Sequence, residues 1–180
     1  MHDKTQPAPH DRQAHSRLLE AGQTLFSSQG YAATSMREIA EKAGLALGGI
    51  YNHFSSKEAI FQAVLMEYNP FKRSNLRPLP ENFDRHQVKI LLDEMDKQPE
   101  FFNLILIEIL EFKGKHVPIL FEKISGDTPP SSSWRILISM MISYHVTHIL
   151  LTSTSPAGTQ TQISPDTLLD ILLNGILESE

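Results

Sequence analysis

Apolar residues recur at three- and four-residue intervals along most of this chain, and no stretch of useful length alternates apolar and polar residues as a strand would. The first helix is predicted over 11–29, with an apolar face and Gly30 as its C-terminal stop. Stretches rich in proline, glycine and serine separate the later helices. The pattern predicts an all-α protein of about nine helices, the others lying over 36–43, 46–53, 56–71, 84–97, 100–113, 118–124, 133–151 and 165–177.

Two short helices joined by a tight turn are predicted after the first helix. Ser35 and Glu38 have the spacing of a capping box, which places a helix start after Ser35. Gly44 follows where the chain must turn sharply, and we expect a positive φ there. The second short helix buries Ile50 and Phe54. This arrangement is a helix-turn-helix, whose second helix enters the major groove of DNA.

The next helix is predicted to begin in the same way. Ser55 and Glu58 repeat the capping-box spacing. The free amides at this helix start, together with Lys57, form a candidate phosphate site.

Several motifs stand in a fixed order between residues 18 and 64. They are Leu-Phe and Gly-Tyr around the end of the first helix, then Thr-Ser-x-x-Glu-Ile-Ala, Ala-Gly-Leu and Ile-Tyr-x-His-Phe-x-Ser-Lys-Glu. In this order they resemble the N-terminal domain of the TetR family of regulators. The resemblance implies a three-helix DNA-binding domain over 11–60 and a helical effector and dimerisation domain over 61–180. Residues 1–10, polar and containing two prolines, are expected to form a mobile tail.

The resemblance also implies roles for individual residues. Thr34 and Ser35 would contact phosphate and cap the second helix, and Tyr51 and Lys57 would bind the DNA backbone. His53 would either face phosphate or pack the turn. Base contacts would come from the second and third helices, through Arg37, Ala46, Leu47, Gly48, Gly49 and Asn52.

Each of these residues also has a plainer interpretation. Tyr51 alone would be a half-buried aromatic residue, and Lys57 alone an ordinary surface lysine. Arg37 has Glu41 one helical turn away, so it either reaches a base or pairs with that carboxylate. Leu47 and Asn52 are either base contacts or simply solvent-exposed.

The third helix departs from the family pattern. Ala46 and Leu47 stand where the family commonly has a hydroxyl residue and then a polar or basic one. Gly48 and Gly49 each cost roughly 1 kcal/mol of helix stability relative to alanine. The recognition helix is therefore expected to be uncapped, flexible and poor in donors, with Ala46 and Leu47 near thymine methyl groups and Asn52 near a base or phosphate. We therefore expect this helix to bind DNA weakly or to recognise the shape of the duplex.

Charge and composition narrow the functional classes. The formal net charge is −5, yet residues 1–60 hold six basic and six acidic side chains, so the acidity belongs to the rest of the chain. A neutral DNA-binding domain predicts modest affinity with strong salt dependence. The absence of cysteine excludes disulfides, thiolate metal sites and cysteine nucleophiles. No secretory signal is visible, and the apolar run over 136–151 is too short to span a bilayer, so a cytoplasmic protein without a membrane partner is expected.

The C-terminal half carries the predicted effector and dimer sites. The helix over 100–113 is apolar nearly all round, so its large residues either line an apolar ligand pocket or form plain core. These candidates are Phe101, Phe102, Ile105, Ile109 and Phe112. The last two long helices are predicted to pair with a second copy through Trp134, Leu137, Ile138, Met141, Ile142, Leu168, Leu169, Ile171, Leu172 and Ile176.

No cofactor or metal site is expected. His145 and His148 are three residues apart on a helix, but no third ligand is identifiable, which favours a role in helix packing. The sequence also lacks a Gly-rich phosphate loop after a strand and a recognisable Ser-His-carboxylate frame. The prediction is therefore a non-enzyme.

The favoured function is a TetR-like regulator, usually a repressor in that family. It would bind a near-palindromic DNA operator as a homodimer and be released by an unidentified apolar small molecule. Two alternatives stay open. One is a DNA-binding regulator that answers to a protein partner. The other is a helical ligand-binding or enzymatic protein whose degenerate recognition helix no longer binds DNA, and the Gly48-Gly49 pair supports it.

Overall fold

The computed structural model describes residues 9–69, 86, 88–90, 93, 97–125, 132–154, 167 and 170. These residues contain helices and turns but no strand, which confirms the all-α prediction. The predicted helices over 84–97 and 165–177 lie mostly outside the described residues. Residues 1–8 of the predicted tail lie outside them entirely. The helices whose bounds the structure describes are α1 (Pro9–Ala33), α2 (Met36–Lys42), α3 (Leu47–Ile50), α4 (Lys57–Glu67), α5 (Pro99–Phe112), α6 (Val117–Ser125) and α7 (Ser132–Thr154).

Helix α1 is the central element of the described residues, because it packs against α2, α4 and α5. Its crossing with α4 is close at Gly22. A Cβ atom at this position would lie 3.0 Å from Cγ2 of Ile60 and 3.2 Å from Cγ2 of Val64. The predicted stop at Gly30 is confirmed, since this residue has φ 84° and ψ 169° and interrupts the helix before one last turn.

The turn between α2 and α3 follows the prediction. Gly44 has φ 67°, and the Leu45 amide donates a 2.9 Å hydrogen bond to the carbonyl oxygen of Ala40. Helix α3 has only four residues, against the eight predicted, and the chain continues in turns as far as His53. Its N-cap residue, Ala46, supplies no side-chain hydrogen bond, as expected from the sequence.

The start of α4 corrects one prediction. Ser56, not Ser55, is the N-cap, and its Oγ accepts a 3.1 Å hydrogen bond from the Ala59 amide. The helix crosses the predicted domain boundary at residue 60 and contacts both α1 and α5. The division into domains at that residue stays a prediction.

The C-terminal helices begin and end within three residues of their predicted bounds. Proline at the first position of α5 suits a helix start, because the amide it lacks would have no partner there. The ring of His145 on α7 stacks on Phe102 of α5. Within the described part of the chain, no helix is long and apolar enough to cross a membrane.

Candidate nucleic-acid interface

A capping box fixes the start of α2. The Ser35 amide donates a 2.8 Å hydrogen bond to Oε2 of Glu38, and the Ser35 hydroxyl accepts one of 3.2 Å from the Glu38 amide. These bonds hold the pKa of the Glu38 carboxyl below its ordinary value, the Ser35 hydroxyl having the largest effect. The predicted cap at Ser35 is thus confirmed, while its phosphate contact stays a prediction.

The structure corrects the role of Thr34. This side chain is buried, and its hydroxyl donates a 2.8 Å hydrogen bond to the carbonyl oxygen of Gly30. A buried hydroxyl that is bonded inside the domain is not available to phosphate. Thr34 instead ties the broken end of α1 to the start of α2.

Lys57 is also engaged inside the domain. Its Nζ donates hydrogen bonds of 2.7 Å to the carbonyl oxygen of Tyr31 and 2.6 Å to that of Thr34. The same ammonium lies 4.2 Å from the centroid of the Tyr31 ring, within the range of a cation–π contact. Two of the three ammonium protons of Lys57 therefore hold the start of α4 against the end of α1. The contact between Lys57 and DNA phosphate that the sequence predicted stays a prediction.

Helix α3 presents an outward face to solvent. Leu47 is 45% exposed and Tyr51 is 54% exposed, and Ala46, Gly48 and Asn52 are exposed with them. The opposite side is anchored by Ile50, which is fully buried in the core. The predicted burial of Ile50 and Phe54 is confirmed, and of the residues over 46–52 assigned to DNA all are exposed except Gly49, which is half-buried.

Two residues next to this surface had alternative interpretations. Arg37 on α2 is exposed, and no ion pair joins it to Glu41, although the structure describes both residues. His53 is half-buried, with its ring 6.2 Å from that of His15, which stacks in turn on Phe54. His53 therefore packs at the turn, while Arg37 extends into solvent beside α3.

The turn and α3 carry no lysine, arginine or carboxylate side chains of their own. Between Lys42 and Lys57 the sequence has no lysine, arginine, aspartate or glutamate. A Cβ atom added at Gly48 or Gly49 would meet no atom within 4 Å, so the backbone lies open at both positions. Any contact made by α3 itself depends on apolar groups, the backbone, the phenol of Tyr51 and the amide of Asn52.

A cluster of ionisable side chains joins α4 to the corner between α5 and α6. Nε2 of His116 lies 3.1 Å from Oε1 of Glu58, and Nδ1 lies 2.7 Å from Oε2 of Glu108. Glu108 is fully buried, and it also accepts a 2.7 Å hydrogen bond from the His116 amide. Lys115 pairs with Glu58. The hydrogen bonds from Lys115 and His116 lower the pKa of the Glu58 carboxyl.

This cluster was not predicted from the sequence. One signal was present, since Glu108 is a carboxylate within the otherwise apolar run of α5, and a buried charge requires a partner. Nothing in the spacing identified His116 or Glu58 as that partner. The cluster links the helix that follows the helix-turn-helix to the C-terminal helices.

The predicted effector residues differ in burial. Phe101 and Phe102 are buried in the core, and Ile105 and Phe112 are partly buried. Ile109 lies at the surface and is 44% exposed. The plain-core alternative fits the two buried phenylalanines, and the assignment of the five residues to a ligand pocket stays a prediction.

A cleft of about 620 Å³ lies elsewhere, between α1, the end of α4 and the start of α5. Phe101 is the one predicted effector residue that lines it. Its other walls are mostly polar or charged, unlike the apolar pocket expected. They comprise Arg12, His15, Ser16, Leu19, Gln23, Glu67, Tyr68, Asn69, Gln98 and Glu100.

The predicted dimer surface is described only in part. Met141 is fully buried in the core of its own chain, so the structure corrects its assignment to a partner-facing surface. Ile138 and Ile142 on α7 are half-buried, and their role in pairing stays a prediction. The side chains of the remaining candidates lie outside the described residues, namely Trp134, Leu137, Leu168, Leu169, Ile171, Leu172 and Ile176.

Known proteins share this helix-turn-helix. Residues 18–64 match the family model described as bacterial regulatory proteins, tetR family. The uncharacterized HTH-type transcriptional regulator YerO of Bacillus subtilis is 24% identical over 131 residues, 68% of this chain and 45% of that protein. The HTH-type transcriptional repressor KstR2 of Mycolicibacterium smegmatis is 41% identical over 51 residues, 28% of this chain and 25% of that protein.

The likeness of the whole fold extends further than that of the sequence. The fatty acid degradation regulator FadR from Bacillus halodurans superposes with a TM-score of 0.59 at 15% identity, covering 96% of this chain and 98% of that one. The match with the two curated relatives, by contrast, spans less than half of their length. The segment over residues 18–64 is thus similar to the helix-turn-helix of the tetR family of bacterial regulatory proteins, and the chain shares its fold with a solved structure of 15% identity.

Proposed function

We propose that this chain is a transcriptional repressor that binds a near-palindromic DNA operator as a homodimer and is released by an apolar small molecule. The observation that carries the proposal is the orientation of α3. Fully buried Ile50 anchors the helix from inside, while Leu47 and Tyr51 extend outward. Repressor is the role named for KstR2, which shares 41% identity in the matched segment.

The geometry around α3 suits a duplex. A helix that presents an open face enters the major groove, and the backbone at Gly48 and Gly49 is free to approach base edges closely. Tyr51 is exposed, and its hydroxyl would donate a hydrogen bond to a phosphate oxygen. Action on DNA implies a cytoplasmic protein that is a regulator rather than an enzyme.

Release follows from the requirement for two copies. The recognition helices of a dimer must lie in successive major grooves, roughly 34–36 Å apart. A small molecule that binds more tightly to a form with another spacing lowers the affinity for DNA by that difference in binding. The residues of α7 and of the last predicted helix would provide the pairing surface.

The test is selection of binding sites from a random-sequence duplex library, followed by gel shift at two salt concentrations. We expect a site with two related half-sites and binding that weakens as salt rises. Tyr51→Phe should weaken binding about fivefold on every bound sequence, the value of one lost hydrogen bond of about 1 kcal/mol. Tyr68→Phe, at the far end of α4, is the matched control and should leave binding unchanged.

A different result would contradict the proposal at one of two levels. If the folded protein selects no sequence and shows no salt-dependent shift, it is not a DNA-binding regulator. If Tyr51→Phe changes the preferred sequence instead of the affinity for all sequences, the phosphate contact is assigned wrongly.

The second candidate function is a helical ligand-binding or enzymatic protein that no longer binds DNA. The two open glycines and the uncapped Ala46 favour it, because they leave α3 short and poor in donors. Failure of the selection with a folded protein would support this candidate. A regulator that answers to a protein partner would instead bind DNA and show no response to apolar small molecules.

A further inference from the structure

The surface around α3 lacks the charged side chains that commonly read G·C pairs. Guanine is read in the major groove by the donors of arginine or lysine, and cytosine by a carboxylate acceptor. Residues 43–56 carry none of these groups. A G·C pair in front of α3 would therefore meet neither the cationic donors nor the carboxylate acceptor that commonly read its edge.

The same surface offers apolar contact. Leu47, at the first turn of α3, is a large apolar side chain that is 45% exposed. Ile50 on the same helix is fully buried and anchors it. The methyl group of Ala46 is exposed beside it. The only group that protrudes from the major-groove edge of a base pair and suits such contact is the C5-methyl of thymine.

The glycines bring this apolar surface close to the bases. A Cβ atom at Gly48 or Gly49 would meet no atom within 4 Å, so the backbone is open at both positions. Because glycine has no side chain, neither residue separates this backbone from the floor of the groove. Asn52, exposed beyond Tyr51, has the amide that matches the N6 and N7 edge of adenine. The apolar contacts and the pairing that an asparagine amide prefers thus both favour A·T pairs.

We propose that α3 reads A·T base pairs through thymine methyl groups, with Leu47 as the specificity-determining residue. This inference rests on the proposed DNA-binding function and names the class of duplex that the site recognises. Arg37 is exposed on α2 and not on α3. A base that it contacts therefore lies outside the base pairs in front of α3. The selected half-site then has an A·T-rich centre, with guanine confined to positions outside it.

The experiment replaces thymine by uracil in the selected duplex, one position at a time. Uracil lacks only the methyl group, so base pairing and the hydrogen-bonding edge stay the same. We expect a loss of about fourfold in affinity at each thymine contacted by Leu47, which corresponds to the burial of one methyl group at about 0.8 kcal/mol. Leu47→Ala should bind the thymine and uracil duplexes equally.

The control is Leu110→Ala, which removes an exposed leucine from α5 and should retain the preference for thymine. Circular dichroism of each variant establishes that it is folded. Binding that is salt-dependent but changes less than about 1.5-fold with uracil at every position would overturn the base-reading proposal alone, as would a G·C-rich half-site centre. Absence of binding to every selected duplex would overturn the proposed function as well.

Discussion

The ammonium of Lys57 lies over the ring of Tyr31 and donates a 2.7 Å hydrogen bond to the carbonyl oxygen of the same residue. Tyr31 stands directly after the break in α1 at Gly30, where carbonyl groups lose their helical partners. One side chain from the first turn of α4 therefore satisfies the backbone at the end of α1. This link fixes the two helices that flank the helix-turn-helix.

We expect Lys57→Met to lower the free energy of unfolding by about 2 kcal/mol, because it removes two hydrogen bonds from a charged donor. Urea denaturation of the DNA-free protein measures this change. Lys42→Met, which removes an exposed lysine from α2, is the control and should stay within about 0.5 kcal/mol of the parent. Unchanged stability with lost DNA binding would instead support a direct phosphate contact.

Gly48→Ala should stabilise the protein by up to about 1 kcal/mol. Alanine favours the helix over the unfolded chain, and its Cβ meets no atom within 4 Å. Thermal unfolding measures the gain. If α3 approaches base edges closely, the same substitution weakens DNA binding, so stability and affinity change in opposite directions. A variant that is destabilised would show that this segment is not helical.

Stability should fall in acid partly through Glu58. Its pKa is lowered in the folded protein by Lys115 and then His116, so its contribution is present above the ordinary carboxyl pKa near 4.5 and is lost as pH falls through the lower folded value. Glu58→Gln should therefore lose less stability than the parent between pH 6 and pH 3. Glu41→Gln, at an exposed position on α2, should follow the parent curve. An identical acid dependence in Glu58→Gln and the parent would contradict this assignment.

Local features of the fold were predictable from the sequence, and distant contacts were not. The capping box at Ser35, the stop at Gly30 and the turn at Gly44 each depend on neighbours within a few residues, and all three are confirmed. The same capping-box spacing at Ser55 and Glu58 gave a wrong N-cap. Glu58 bonds instead to side chains 57 and 58 residues away, which no local pattern indicates.

The site shows the same division. Periodicity identified Ile50 as the buried anchor of α3, and thereby which side of the helix faces out. It did not show that Thr34 is buried or that Lys57 bonds to carbonyl groups 23 and 26 residues earlier, because both depend on the way α1 ends against α4. The motif match implied a phosphate contact for each of these two residues; the structure gives Thr34 a buried bond instead, and for Lys57 the phosphate contact stays a prediction beside its bonds to the backbone.

Lys57 and Glu58 are consecutive residues on the first turn of α4, yet the first binds the end of α1 and the second binds the corner between α5 and α6. In the proposed regulator, a displacement of that corner would reach the turn that supports α3 through these two neighbouring residues. Linkage then makes the effect reciprocal: whatever factor a ligand at the C-terminal helices imposes on affinity for DNA, bound DNA must impose on affinity for the ligand. An operator duplex would therefore act as an antagonist of its own inducer.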